Sequence, residues 1–176
     1  IDASMLSLEE NITKTKQVVD YAKKYDVTVE AEIGRVGGSE DGVADQIYYA
    51  KLEDCKRLYE ATNIDSLAPA LGSVHGLYHG EPKLDFETMK QIDDALPIPL
   101  VLHGGTGIPA EQIQKAIFSG ISKININTEL QITWSKAVRN YLKENDVVYD
   151  PRKIIGSGEL AMKKKIREIV QIFQTR

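Results

Sequence analysis

Cysteine is almost absent from this chain. Cys55 is the single one, so no internal disulfide exists and a reducing, cytoplasmic setting is expected. Cys55 lies in a helical pattern and reads as a core residue rather than a nucleophile. No apolar run approaches the roughly 20 residues of a membrane span, and no signal peptide is recognisable. Basic residues are outnumbered, 22 against 26 acidic ones, and are scattered, so no nucleic-acid-binding face is indicated. Repeats beyond a βα alternation, low-complexity tracts and signs of a second domain are missing too. With 176 residues, 42% of them hydrophobic, the chain is long enough for one good core. Histidine is scarce as well, and the three present, His75, His79 and His103, fall in telling places.

The stretch Pro99 to Pro109 (PLVLHGGTGIP) organises the chain. A short apolar strand ends at His103, the small residues Gly104-Gly105-Thr106-Gly107 follow, and Pro109 is placed to open a helix. Glycines let backbone N–H groups approach a ligand closely, and a helix N-terminus favours an anion. The layout occurs twice. Leu67 to Gly72 reads as another strand, followed by Ser73-Val74-His75-Gly76. His75 and His103 stand 28 positions apart, the spacing of successive βα units in a parallel barrel.

Around this pair the chain alternates. The chain opens at Ile1 without a methionine, and Ile1 to Ser4 reads as the tail of a strand. Ser7 and Glu10 have the spacing of a capping box, predicting a helix to about Tyr25 with Ile12, Val19 and Ala22 on its buried side. Val27 to Ile33 alternates strictly, with Thr28, Glu30 and Glu32 on one face. In a barrel that face points inward near the C-terminal rim, where active sites lie. Gly34 to Gly42 reads as a mobile flap with an acidic tip. A helix is expected over Leu52 to Ala61, a loop over His75 to Pro82, and a helix capped by Asp85 to about Leu96. The Pro109 helix should end at Gly120. Lys123 to Thr128 reads as a strand whose Asn125 and Asn127 alternate with isoleucines; hydrogen bonding to a polar ligand explains both, whereas capping the next helix accounts for at most one. From Glu129 the chain is mostly helical, with Trp134 in the core, a break at Asp150 to Arg152 and a turn at Gly156 to Gly158.

Two histidines, neighbouring carboxylates and Gly-rich turns beside helix N-termini together imply a metal next to a phosphate site. Imidazole ligation suits Zn²⁺, which in catalytic sites takes three protein ligands and keeps an open position. His79, four residues past His75, is either a third ligand or a contact to substrate or solvent.

The stretches VEAEIG-x-VGGSEDG, ALGSVHGLYHGEPKLDF, PLVLHGGTGIP, KININTE and YDPRK resemble the class II, zinc-dependent ketose-bisphosphate aldolases. The likeness is nearest to the fructose-1,6-bisphosphate aldolases, with tagatose-bisphosphate aldolases close by, and it spans residues 1–176. It implies an α/β fold, a (β/α)₈ barrel of which this chain supplies about the last five βα units, counting the stub at Ile1. Three units would be missing from a full barrel of about 250 residues. They would come from a further segment or a second chain, bringing a third zinc histidine and an adjacent catalytic aspartate.

The implied reaction is reversible cleavage of fructose 1,6-bisphosphate to dihydroxyacetone phosphate and glyceraldehyde 3-phosphate. Tagatose 1,6-bisphosphate or another phosphorylated ketose as substrate, or a non-catalytic sugar-phosphate-binding barrel, are the alternatives. By the resemblance, His75 and His103 are metal ligands, Glu32 marks an alternative metal position, and Asp2 is an acidic residue near it. Glu40 would move the C1 proton of dihydroxyacetone phosphate, and Asn125 would contact substrate. Gly76, Gly104, Thr106, Asn127 and Thr128 would cradle phosphate, and Arg152 would reach a neighbouring subunit's site to bind the other phosphate. Asn127 and His79 depart from the family, which often has Asp and Lys there. A monovalent cation near the phosphate site and a homodimer or homotetramer are implied as well.

Overall fold

The computed structural model describes residues 1–40, 43–45, 47–78 and 80–174, without the side chains of residues 39, 40 and 43–45. The chain falls into two compact units, residues 1–125 and 126–176, taken here in turn.

In the first unit, the capping box of Ser7 and Glu10 starts helix α1 (Leu8–Ala22). The Ser7 amide donates to the Glu10 carboxylate at 3.1 Å, and the Glu10 amide donates back to Ser7 Oγ at 3.4 Å. The buried side of α1 holds Asn11, Thr15, Val19 and Ala22. Ile12, expected there, is only half-buried. Asn11 takes the inner position because it has a partner: its Nδ2 donates to the Glu32 carbonyl at 2.9 Å, and Thr15 donates to its Oδ1 at 3.0 Å. Buried polar groups satisfied in this way cost little.

Strand β1 (Glu30–Ile33) follows, then β2 (Gly37–Glu40), β3 (Val43–Asp45), helix α2 (Leu52–Thr62) and β4 (Ser66–Pro69). A two-residue strand β5 (Val74–His75), helix α3 (Phe86–Ala95), β6 (Leu100–Leu102), α4 (Ala110–Phe118) and β7 (Ile121–Ile124) complete the unit. The main sheet is parallel, in the order β1-β4-β6-β7. Each strand lies beside the one that follows it in the wall, with a helix in every connection, as in a (β/α)₈ barrel. Neighbouring helices touch in the same sequence, α1 to α2, α2 to α3 and α3 to α4.

Ile1 to Ser4 is not a strand, so this wall has four strands rather than five. The Ile1 ammonium still donates to the Glu30 carbonyl, at 2.6 Å, along the outer edge of β1. Strand β1 begins three residues later than the alternation from Val27 predicts. Asp26 adopts a left-handed conformation (φ 55°) that ends the preceding turn. The Val29 amide is then taken by the Asp65 side chain at 2.7 Å instead of a ladder partner.

The stretch from Gly34 to Gly42 is likewise not a loop throughout. Within it β2 pairs antiparallel with β3 and parallel with β5, forming a second small sheet in the order β3-β2-β5. Asp85 and Gly120 behave as expected. Asp85 caps α3 by accepting from the Thr88 amide, and Gly120 (φ 110°) follows the end of α4. Pro109 is the cap of α4 rather than its first residue.

The second unit is a pair of packed helices, α5 (Thr128–Glu144) and α6 (Pro151–Phe173). Asp150 starts α6 by accepting from the Arg152 amide at 3.0 Å, with Pro151 in the first turn. Gly156 to Gly158 is not a turn but part of α6. A Cβ on Gly158 would lie 2.3 Å from the Trp134 ring, so the glycine admits the indole against the helix backbone. Trp134 itself is half-buried. Gly156 faces open space.

The two glycines should therefore respond with opposite signs. Gly158→Val is expected to overpack the Trp134 contact and cost about 1–3 kcal/mol. Gly156→Ala is expected to stabilise by up to about 1 kcal/mol through helix propensity. Equilibrium denaturation followed through Trp134 fluorescence measures both.

Candidate active site

The main sheet presents two chemically different faces. Ala31, Ile33, Leu67, Leu100 and Leu102 are buried and apolar. The alternate positions carry Glu30 and Glu32 on β1, Ser66 on β4, His103 just past β6 and Lys123 on β7. These polar side chains meet. His103 Nε2 lies 3.2 Å from Glu30 Oε1, and His103 Nδ1 lies 3.2 Å from Glu32 Oε1. The Lys123 ammonium donates to both Glu30 oxygens, at 3.0 and 2.8 Å, and Ser66 Oγ donates to Glu30 Oε2 at 3.3 Å.

The His75 ring faces this group, its centre 6.0 Å from that of His103 and its plane tilted by 38°. The strand that carries His75 is held very close on both sides. A Cβ on Gly38 would lie 2.1 Å from the His75 carbonyl oxygen, and one on Gly104 would lie 2.2 Å from the Val74 carbonyl oxygen. Both glycines have positive φ, +102° and +67°. Bare backbone at these two positions is thus required by the protein's own strand packing, whatever else it approaches. Tyr78 closes the arrangement: its hydroxyl accepts from the Val74 amide and donates to the Gly104 carbonyl, each at 3.1 Å.

Charge follows geometry here. Burial penalises the charged form of His103, but the Glu32 and Glu30 carboxylates outweigh it and hold the imidazole pKa above 6.5. Burial likewise works against ionised Glu30, and Lys123 and His103 reverse that, keeping its pKa below 4.5. Burial also raises the Tyr78 hydroxyl above its ordinary value and pushes the Cys55 thiol up to about 12. Cys55 is fully buried and inert, a core residue as expected.

Of the residues singled out from the sequence, the fold brings His75, His103 and Glu32 together. Asp2 is exposed, and its carboxylate accepts from the Ser4 amide at 2.9 Å. Thr106 is buried in the turn after β6. Asn125 is anchored beside that turn by its backbone, its amide donating to the Leu102 carbonyl and its carbonyl accepting from Gly105, both at 2.9 Å. Gly76 follows β5 with φ 87°. In the second unit, Asn127 stands at the cap of α5 and Thr128 begins that helix. Arg152 is exposed and forms a two-point pair with Asp150, at 3.0 and 2.9 Å. His79, Asp41 and Gly42 lie outside the described residues, as does the side chain of Glu40, so the acidic tip of the expected flap is described only through the backbone of β2. Glu30, Lys123 and Tyr78 went unassigned from sequence; only the shared face of Glu30 with Glu32 hinted at the first.

The sequence profile of class II fructose-bisphosphate aldolases matches residues 1–176. The chain belongs to that family. A fructose-bisphosphate aldolase of Staphylococcus aureus (strain Mu50) is 54% identical over 176 residues, covering 99% of this chain and 62% of that protein. One from Geobacillus stearothermophilus is 58% identical over 167 residues, covering 94% and 58%. The crystal structure of the YdjI aldolase from Escherichia coli K12 superposes with a TM-score of 0.80 at 37% identity, covering 99% of this chain and 60% of that one. The chain thus spans about three-fifths of the length of these relatives, and its four-stranded wall is part of an α/β barrel.

Among the described residues, no group of three or more His, Cys, Asp or Glu is arranged to hold a metal ion. The donor chemistry nevertheless suits zinc for two ligands. Two imidazoles on one tetrahedral zinc have ring centres about 5 Å apart, within about an ångström of the spacing seen for His75 and His103. His103 already has a carboxylate on each nitrogen, and a ligating histidine keeps one such partner.

Two outcomes follow. In metal-free protein the folded His103 pKa is raised, so its contribution to stability is fully present below about 6.5 and is lost as pH rises through the higher folded value. Glu30, with its pKa lowered, contributes above about 4.5 and loses that contribution as pH falls through its folded value. Melting temperature against pH should show both slopes, and His103→Gln should remove the alkaline one. Tyr78→Phe should cost roughly 1–3 kcal/mol in denaturant unfolding, since it strands the Val74 amide and the Gly104 carbonyl.

Proposed function

We propose that the protein carrying this chain is a class II aldolase that reversibly cleaves fructose 1,6-bisphosphate to dihydroxyacetone phosphate and glyceraldehyde 3-phosphate. The observation that carries the reading is the facing pair His75 and His103, with His103 just past the C-terminal end of β6 and in contact with Glu32 near the end of β1 and Glu30 at its start. Active sites of (β/α)₈ barrels sit at that end. Family membership over residues 1–176 supports the same reaction class.

His75 and His103 would hold zinc, with a third ligand drawn from the part of the relatives' length beyond this chain. Bound there, zinc supplies Lewis-acid polarisation of the ketose carbonyl. The chain's own residues do the rest. Glu32 takes the His103 Nδ1 side, where it would serve as the alternative metal position. Asn125, anchored between Leu102 and Gly105, would offer its amide to substrate. Gly76, Gly104 and Thr106 line turns where backbone N–H groups and the start of α4 suit a phosphate. Glu40 would move the C1 proton, a role resting on the resemblance alone.

For Asn127, Thr128 and Arg152, which belong to the second unit, phosphate contact is also proposed on the resemblance alone. Residues 1–176 would form the C-terminal part of one aldolase barrel, whose remaining strands pair with the free edges of β1 and β7. Cytoplasmic location, a monovalent cation near the phosphate and a homodimer or homotetramer belong to the same proposal. In the described residues, no helix is long and apolar enough to cross a membrane.

His103→Ala in the intact protein should remove both bound zinc and bisphosphate cleavage; full zinc stoichiometry in that variant would overturn the ligand assignment. Glu40→Gln should abolish C1-proton exchange of dihydroxyacetone phosphate while zinc stays bound, and unchanged exchange would count against the role of Glu40.

A further inference from the structure

We propose that Lys123 is a positioning residue for the metal site: by clamping Glu30 it fixes His103 with the Nε2–H toward Glu30 and the Nδ1 lone pair toward the metal. This rests on the reading of His103 as a metal ligand.

The argument starts from a conflict. A neutral imidazole has one N–H, yet His103 has a carboxylate oxygen 3.2 Å from each ring nitrogen. Only one of the two can accept a hydrogen bond when the other nitrogen holds a metal. The structure distinguishes them. Glu30 is pinned, with Lys123 on both oxygens at 3.0 and 2.8 Å and Ser66 on Oε2 at 3.3 Å. Its Oε1 is left aimed at His103 Nε2. A carboxylate fixed in this way is a suitable permanent acceptor, the outer partner that orients a ligating histidine. Glu32 sits on the opposite nitrogen and is the carboxylate given the alternative metal position. The metal side of the ring is therefore Nδ1.

Lys123 contributes little to stability here. Its side chain is 52% exposed, and an ion pair so open to water adds little. What it supplies is direction. Without it, Glu30 would be free to swing away from Nε2, and His103 would be free to choose the tautomer that donates to Glu32 and turns its lone pair away from the metal.

The test uses the intact protein and two readouts that need no turnover. Zinc affinity is measured by competition with a chelator, and the His103 tautomer by ¹⁵N-histidine NMR of the metal-free protein at a pH high enough to leave the ring neutral. Lys123→Met should weaken zinc about 10- to 100-fold and shift His103 away from the Nε2–H form. Lys123→Arg should restore most of both. In a Glu30→Gln background, Lys123→Met should cause no further loss, because its effect runs through the carboxylate. Wild-type zinc affinity together with an unchanged tautomer in Lys123→Met would overturn the proposal and leave the metal site standing. An additive loss in the Glu30→Gln background would overturn it too. Wild-type protein that binds no zinc at His103 would instead overturn the ligand assignment, and this inference with it.

Discussion

A carboxylate partly withdrawn from water on the inner face of a parallel sheet needs partners that offset the cost of its burial. Glu30 meets that demand by drawing one group from every other strand of the wall. Ser66 reaches it from β4, His103 from the end of β6 and Lys123 from β7. The contact spans the full width of the four-stranded sheet, from one edge strand to the other. It therefore ties the order of the strands to the chemistry, since any strand displaced sideways would leave the carboxylate short of a partner.

Behind that face the sheet is conventional. Ala31, Leu67, Leu100 and Leu102 are wholly buried, and such packing supplies the stability that the polar face does not. The division lets the polar face be tuned for binding while the apolar face holds the wall. His75 is the exception, since it stands on no strand of the main sheet. Its position comes from β5, gripped between Gly38 and Gly104 and tied down by Tyr78. Because Gly38 belongs to β2, the strand that also contains Glu40, the backbone carrying the expected proton-transfer residue is in register with His75. A side chain at Gly38 would disturb both at once.

Much of this was legible in the residues. The two strand-end His-Gly pairs, the capping box and the alternation around Glu30 and Glu32 all report local geometry, and local geometry is what periodicity encodes. Partners distant in sequence are another matter. That Glu30 rather than Glu32 would be pinned by a lysine 93 positions away has no local signature. The same limit explains the glycines. Gly156 and Gly158 resemble a turn, because a turn and a close helix contact both call for a missing side chain, and only Trp134 lying against Gly158 decides between them. The glycines around His103 suggest room for a ligand, yet at Gly104 the side a Cβ would take is filled by the strand of His75.

Lys123 shows how finely the face of a residue depends on register. Leu100 pairs with Ile121, which is buried on the apolar side. A regular ladder would then set Ser122 opposite Val101 and send Lys123 back to the side of Ile121, since side chains alternate with a period of two. Instead the register slips by one between Leu100 and Val101, and Lys123 becomes the partner of Val101. The irregularity places the ammonium on the same face as Glu30 and His103. Irregularities of this kind re-aim side chains next to functional sites, and here one inserted position separates a lysine facing apolar packing from one clamping the central carboxylate.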